Sequence, residues 1–179
     1  VRDAELGWVN RITDAIDRNL SELHVQPIVC VESLKVHHYE ILLRLSASTN
    51  KFIYPHEFIP PAERYGIMSN IDQWVINQTF NWLKNHTAHT PKVAINLSGA
   101  SLGNTELPRI VANLLEDGLV QGNQICFEIT ETAAITNLSQ ALSLISSLKE
   151  LGCSFALDDF GSGLSSLAYL KTFPVDYLK

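Results

Sequence analysis

The chain has 179 residues and a net charge of −6, with 46% hydrophobic and 18% charged residues. Such a chain suits one globular domain with a substantial core. The acidic balance argues against a nucleic-acid polymer as partner, and no apolar run is long enough for a membrane span.

Asp3 to Leu20 carries Val9, Ile12, Ile16 and Leu20 at roughly helical spacing, which predicts an amphipathic linker helix over residues 1–21 ahead of a main domain at 22–179. His24 to Val31 and His38 to Leu45 read as two strands of a hairpin around the polar turn Glu32 to His37. Glu40 and Arg44 share a face of the second strand, because even offsets point the same way. They are either edge charges in water or a carboxylate and a guanidinium held for a ligand. Tyr54 to Gly66, with Pro55, Pro60 and Pro61, reads as a loop with at most one helical turn. Ser69 and Asp72 have capping-box spacing ahead of a helix carrying Ile71, Trp74, Val75, Trp82 and Leu83.

Three strand–helix units follow. Lys92 to Ser98 is a strand before a helix with Leu107, Ile110, Val111, Leu114 and Leu115. Gln124 to Thr132 is a strand before a helix capped by Asn137 and Gln140 and closed by Gly152. Ser154 to Asp158 is a strand before a helix over Ser165 to Thr172, and a last apolar run begins near Val175. Cys30, Cys126 and Cys153 lie far apart in apolar runs, so they read as small buried hydrophobes in a reducing, cytoplasmic setting. Membrane anchoring through segments outside these residues stays open.

Successive, nearly continuous apolar strands imply a parallel sheet covered on both faces. Asn96, Glu128 and Asp158 each end a strand, and two residues before each stands a small one: Ala94, Cys126 and Ala156. One polar residue per strand at a common end is how barrel active sites are built. An open sheet with a crevice site is the alternative, but no glycine-rich phosphate fingerprint follows any strand.

Asp158-Asp159 alone reads as a solvated turn or as part of a metal site. Together with Glu40, Asn96 and Glu128 it crowds four carboxylates into one mouth, which a divalent cation relieves. The donors are all oxygen, which points to Mg²⁺ or Mn²⁺ and to phosphoryl chemistry. Lys179 is either a charged terminus or a group that orients or deprotonates the attacking water.

The motifs Gln26-Pro27-Ile28, Glu40-Ile41-Leu42-Leu43-Arg44, Asn96-Leu97-Ser98, Glu128-Ile129-Thr130-Glu131, Asp158-Asp159-Phe160-Gly161-Ser162-Gly163 and Phe173-Pro174-Val175-Asp176-Tyr177-Leu178-Lys179 occur in the order of a known family. From about His24 onward the chain resembles an EAL domain, the phosphodiesterase of bacterial cyclic di-GMP signalling. The resemblance implies a TIM-like (β/α)₈ barrel with an antiparallel first strand, and hydrolysis of cyclic di-GMP to linear pGpG with Mg²⁺ or Mn²⁺, as two ions. It places Glu40, Asn96, Glu128, Asp158 and Asp159 at metal-ligand positions and Lys179 at the lysine that holds the catalytic water. Gln26, Leu42 and Arg44 fall at substrate contacts. Glu131 falls at a catalytic-site glutamate that steadies the loop after Asp159, a loop that also shapes the dimer contact.

The resemblance further implies a homodimer fused to GGDEF or sensor domains. Ile41 stands where the family's signature has alanine and is expected to matter little, since it faces away from Glu40 and Leu42. The family continues past this lysine with strands that supply another glutamate and a glutamine. The chain is therefore expected to be part of a longer protein and inactive by itself. The competing readings are a cyclic di-GMP receptor without turnover and a regulatory or dimerisation module.

Overall fold

A computed structural model describes residues 2–18, 20–48, 51–86, 91–161 and 171–179. The helices are α1 (Arg2–Asp17), α2 (Pro55–Arg64), α3 (Met68–Lys84), α4 (Gly99–Leu102), α5 (Leu107–Leu115), α6 (Glu131–Thr136) and α7 (Leu138–Glu150). The strands are β1 (Glu22–Val29), β2 (Val36–Ser48), β3 (Lys51–Ile53), β4 (Val93–Asn96), β5 (Ile125–Thr130), β6 (Ser154–Asp158) and β7 (Tyr177–Leu178). The helix expected at Ser165 to Thr172 falls mostly outside the described residues, and Lys171 and Thr172 form a turn.

The sheet order is β1-β2-β4-β5-β6-β7, with β3 paired to β2 off this path. β1 runs antiparallel to β2, and every later neighbour along the path is parallel. Each new strand joins the same advancing edge. The order never reverses, so the sheet has no topological switch point and is singly wound, as in a (β/α)₈-type barrel. Six strands of this partial barrel stand in line among the described residues.

Ile95, Phe127, Phe155 and Leu157 point from the sheet into the helix layer and are at most 2% exposed. Ile76, Phe80, Val111, Ile145 and Leu148 close over them from α3, α5 and α7. Ile41 is buried in the same core, on the opposite side of β2 from Glu40.

Several local expectations change. Tyr54 to Gly66 is not a loop but holds the ten-residue helix α2, with Pro60 and Pro61 inside it. Pro55 sits in the first turn, where its missing N–H costs nothing, and buried Phe58 and Ala62 dock the helix despite the two lost donors. Ser69 and Asp72 form no capping box, because α3 starts earlier with Ile67 at its N-cap position. Asn137 caps α7 by position only, since its side chain donates back to Ala133 O at 3.4 Å. Leu20 lies beyond α1 and is exposed; Ile12 and Ala15 form that helix's buried face. Cys30 and Cys126 are only half-buried, whereas Cys153 is buried. All three thiols are free, and burial pushes Cys126 up to about 11 and Cys153 to about 12.

Before β5, Gly122 passes so close to the end of α7 that an added Cβ would lie 2.1 Å from Leu151 O. Backbone meets backbone there, so no side-chain rotation relieves the clash. Gly122→Ala is expected to destabilise the protein by about 1–3 kcal/mol, read as a lower urea midpoint.

Candidate active site

The register explains the small residues in the strands. Glu40 lies level with Ala94 across β2 and β4, and Glu128 lies level with Ala156 across β5 and β6. Each long acidic side chain therefore has an alanine beside it, which leaves room for the carboxylates to converge. Asn96 pairs level with Glu128, and Thr130 with Asp158.

They converge on Lys179. Its Nζ lies 2.8 Å from Glu40 Oε2, 2.7 Å from Glu128 Oε2 and 3.8 Å from Asp158 Oδ2. The other oxygen of Glu40 accepts a 3.0 Å hydrogen bond from Asn96 Nδ2. Lys179 is carried there by β7, which Asp176 pins: its two carboxylate oxygens accept from Lys149 Nζ at 2.7 Å and from Phe155 N at 2.9 Å.

Burial opposes charge on Glu40, but the bonds from Lys179 and Asn96 outweigh it and hold the carboxyl below its ordinary range. For Glu128, whose side chain is 2% exposed, burial dominates and raises the carboxyl despite Lys179. Burial works against the Lys179 charge too, yet the bonds from Glu128 and Glu40 raise its pKa well above the ordinary lysine value. In this arrangement Lys179 is a fixed cation. Its ammonium can donate to a water molecule.

The loop after β6 is also set up for the site. Asp159 has φ 55°, a left-handed conformation that aspartate tolerates better than most residues, and its N–H donates to Asp158 Oδ1 at 2.9 Å. Glu131 is buried in the first turn of α6, and its Oε2 accepts from Gly161 N at 3.0 Å. Gly161 has φ 89°, so a residue with a Cβ would be strained there. Ser162 and Gly163 lie outside the described residues.

The remaining candidates stand beside the cluster. Gln26 is opposite Glu40 in the hairpin, and Leu42 is opposite His24. Leu42, Asn96 and Glu128 line a cavity of about 570 Å³ whose far wall is apolar, including Pro55, Phe58 and Met68. Arg44 does not reach the carboxylates; its guanidinium lies 5.6 Å above the Tyr54 ring and donates to Leu43 O at 2.9 Å. Sequence reasoning missed Asp72, whose Oδ2 accepts from Ser98 N, Ser98 Oγ and Ser101 Oγ at 2.8, 2.6 and 2.7 Å. The available signal was an acid on the apolar face of α3, between Ile71 and Val75.

Among the described residues no three His, Cys, Asp or Glu side chains stand grouped as ligands of an ion; the carboxylates gather on the ammonium instead. The Lys179 ammonium nevertheless occupies their focus, and the three groups it meets there are carboxylate oxygens, a ligand type that suits Mg²⁺ or Mn²⁺.

The EAL domain family matches residues 9–179. The chain belongs to the EAL domain family. Its EAL sequence is 40% identical over 175 residues to the cyclic di-GMP phosphodiesterase PdeB of Shewanella oneidensis, covering 96% of this chain and 20% of that protein. The chain thus spans about a fifth of the length of that curated relative. Among solved structures, the EAL fold superposes on the PaMucR phosphodiesterase in complex with c-di-GMP with a TM-score of 0.86, 28% identity and coverage of 96% and 71% of the two chains. It also superposes on the FimX EAL domain from Pseudomonas aeruginosa bound to c-di-GMP, with a TM-score of 0.88, 29% identity and coverage of 96% and 69%. The EAL barrel expected from the sequence is therefore the fold observed. No described helix is long and apolar enough to cross a membrane.

Proposed function

We propose that the full-length protein carrying this chain hydrolyses cyclic di-GMP to linear pGpG with Mg²⁺ or Mn²⁺. The observation that carries this reading is the focus of Glu40, Glu128 and Asp158 on the Lys179 ammonium, with Asn96 and Glu128 of the same cluster lining the 570 Å³ cavity. Membership of the EAL family and its phosphodiesterase relatives support it.

Glu40, Asn96, Glu128, Asp158 and Asp159 would hold the metal, as two ions. A bound divalent ion supplies Lewis acidity to a phosphate oxygen and lowers the pKa of water. Lys179, protonated and anchored by β7, orients the attacking water by donating to it. Glu131 holds the Asp159–Gly161 turn in place through Gly161 N. Gln26 and Leu42 face the substrate from the hairpin. Arg44, parked on Tyr54, swings to a phosphate, where a guanidinium binds two oxygens at once. The reading also takes in a homodimer and fusion to GGDEF or sensor domains through α1.

Arg44→Ala is expected to raise KM for cyclic di-GMP about tenfold with kcat nearly unchanged, because a contact made equally in ground and transition states is lost. Steady-state kinetics check this. The reaction itself is tested by incubating the full-length protein with cyclic di-GMP and Mn²⁺ and separating the products by chromatography; no pGpG would overturn the reading.

One observation favours a second reading, a cyclic di-GMP receptor without turnover. Lys179 already satisfies the carboxylates that the metal needs. Micromolar binding of cyclic di-GMP without product, even with Mn²⁺, would select it.

A further inference from the structure

We infer that Asp72 is a positioning residue for the site, acting through the Asn96-Leu97-Ser98 turn rather than on substrate. The inference rests on the phosphodiesterase reading for its kinetic consequence, but not for its structural content.

Asp72 is 5% exposed on α3 and belongs to a helix that contributes no other charged group to the site. One of its oxygens, Oδ2, gathers three donors, and two of them come from Ser98. Ser98 is the N-cap residue of α4, a position where a serine oxygen ordinarily accepts from a helix N–H. Here the side chain makes no cap bond, and its hydroxyl donates to Asp72 instead. Ser101, one turn into α4, is turned to the same oxygen. The local preference of the sequence is thus overridden in favour of the buried carboxylate.

Asn96 stands two residues before Ser98. Between them, Leu97 N donates to Glu128 O at 2.8 Å, so the turn is fixed from β5 and from α3 at once. Among the described residues, the hydrogen bonds that tie Ser98 to α3 both end on Asp72. If Asp72 is removed, one buried donor on Ser101 and two half-buried donors on Ser98 lose their acceptor, and the turn must move to satisfy them. Asn96 moves with it, away from Glu40 Oε1. A displacement of about 1 Å at a catalytic constellation costs up to about a hundredfold in rate.

The test is a double-mutant cycle in the full-length protein with Asp72→Ala, Asn96→Ala and the pair, assayed for cyclic di-GMP turnover with Mn²⁺. Asp72→Ala is expected to lower kcat by about 10- to 100-fold with KM within about threefold. The pair should be no slower than Asn96→Ala alone, because both changes break one unit. Asp72→Asn, which keeps an acceptor oxygen, should recover most of the lost rate. Losses that multiply in the pair, or an unchanged kcat in Asp72→Ala, would overturn the inference. Should the alanine variant not fold, Asp72→Leu replaces it, being close to the apolar character of that face of α3. A readout independent of turnover is nuclear magnetic resonance without substrate. Removal of the carboxylate should speed hydrogen exchange at Ser98 N and shift the Asn96 side-chain amide; if both stay as in the wild type, the inference fails. An inactive wild type would sink the phosphodiesterase reading alone, and these amide signals would still decide the role of Asp72.

Discussion

Glu40→Ala is expected to abolish pGpG formation, with kcat/KM falling by about a thousandfold or more. Glu40 engages Lys179 through Oε2 and Asn96 through Oε1. Without it, the proposed metal would lose a charged ligand, and Asn96 and Lys179 lose the partner that aims them. Lewis-acid stabilisation is worth several kcal/mol, and each ~1.4 kcal/mol is a factor of ten in rate. Thermal melting should show the variant still folded, since Glu40 faces the mouth and Ile41 beside it carries the packing of β2. Wild-type-like turnover in Glu40→Ala would refute the site assignment.

Lys179→Met is expected to give the largest effect on stability. It leaves the buried Glu128 carboxylate without its cation. Breaking a fully buried ion pair costs about 3–5 kcal/mol; a third of the Lys179 side chain reaches solvent, so about 2–3 kcal/mol is expected here. The sign with pH follows from which way each group is shifted. Lys179 is raised in the folded protein, so its stabilisation is complete below the ordinary lysine pKa and is lost as pH rises through the raised value. Glu40 is lowered, so its contribution is present above the ordinary carboxylate pKa and is lost as pH falls through the lowered value. Glu128 is raised, which favours the folded state only when it is protonated.

Without Lys179 that last effect grows. The deficit of the variant should be full well above the raised Glu128 value and shrink as pH falls through it, as read by urea unfolding across pH. Mn²⁺ should then restore stability, because an ion at about a hundred times its Kd contributes about 2.7 kcal/mol. A deficit independent of pH would contradict the burial argument. A deficit that Mn²⁺ leaves unchanged would contradict the metal assignment without any appeal to turnover.

The barrel was legible because strand parity is a strict code. Ala94/Asn96, Cys126/Glu128 and Ala156/Asp158 share one side, and Ile95, Phe127 and Leu157 share the other, which is how they sit in the folded chain. What parity could not show is the stagger that sets an alanine beside each glutamate, since register is fixed between strands and not within one. Helix α2 was hidden because its prolines dominate a local reading, whereas burial of Phe58 and Ala62 decides the outcome. Asp72 was hidden for a related reason: its spacing from Ser69 imitates a cap, and its true partners, Ser98 and Ser101, lie more than twenty-five residues away. Lys179 was ambiguous because a lysine after a short apolar run does not show which carboxylates it will meet. Only the β6–β7 pairing brings its ammonium to Glu40 and Glu128.

We propose that Glu40, Asn96, Glu128, Asp158, Asp159 and Lys179 form one metal-dependent hydrolytic site. It is tested most directly by chromatography of cyclic di-GMP incubated with the full-length protein in Mn²⁺ and, in parallel, in excess chelator. Conversion to pGpG with Mn²⁺ and none with chelator is the result expected. Intact cyclic di-GMP in both, or equal conversion in both, would contradict it.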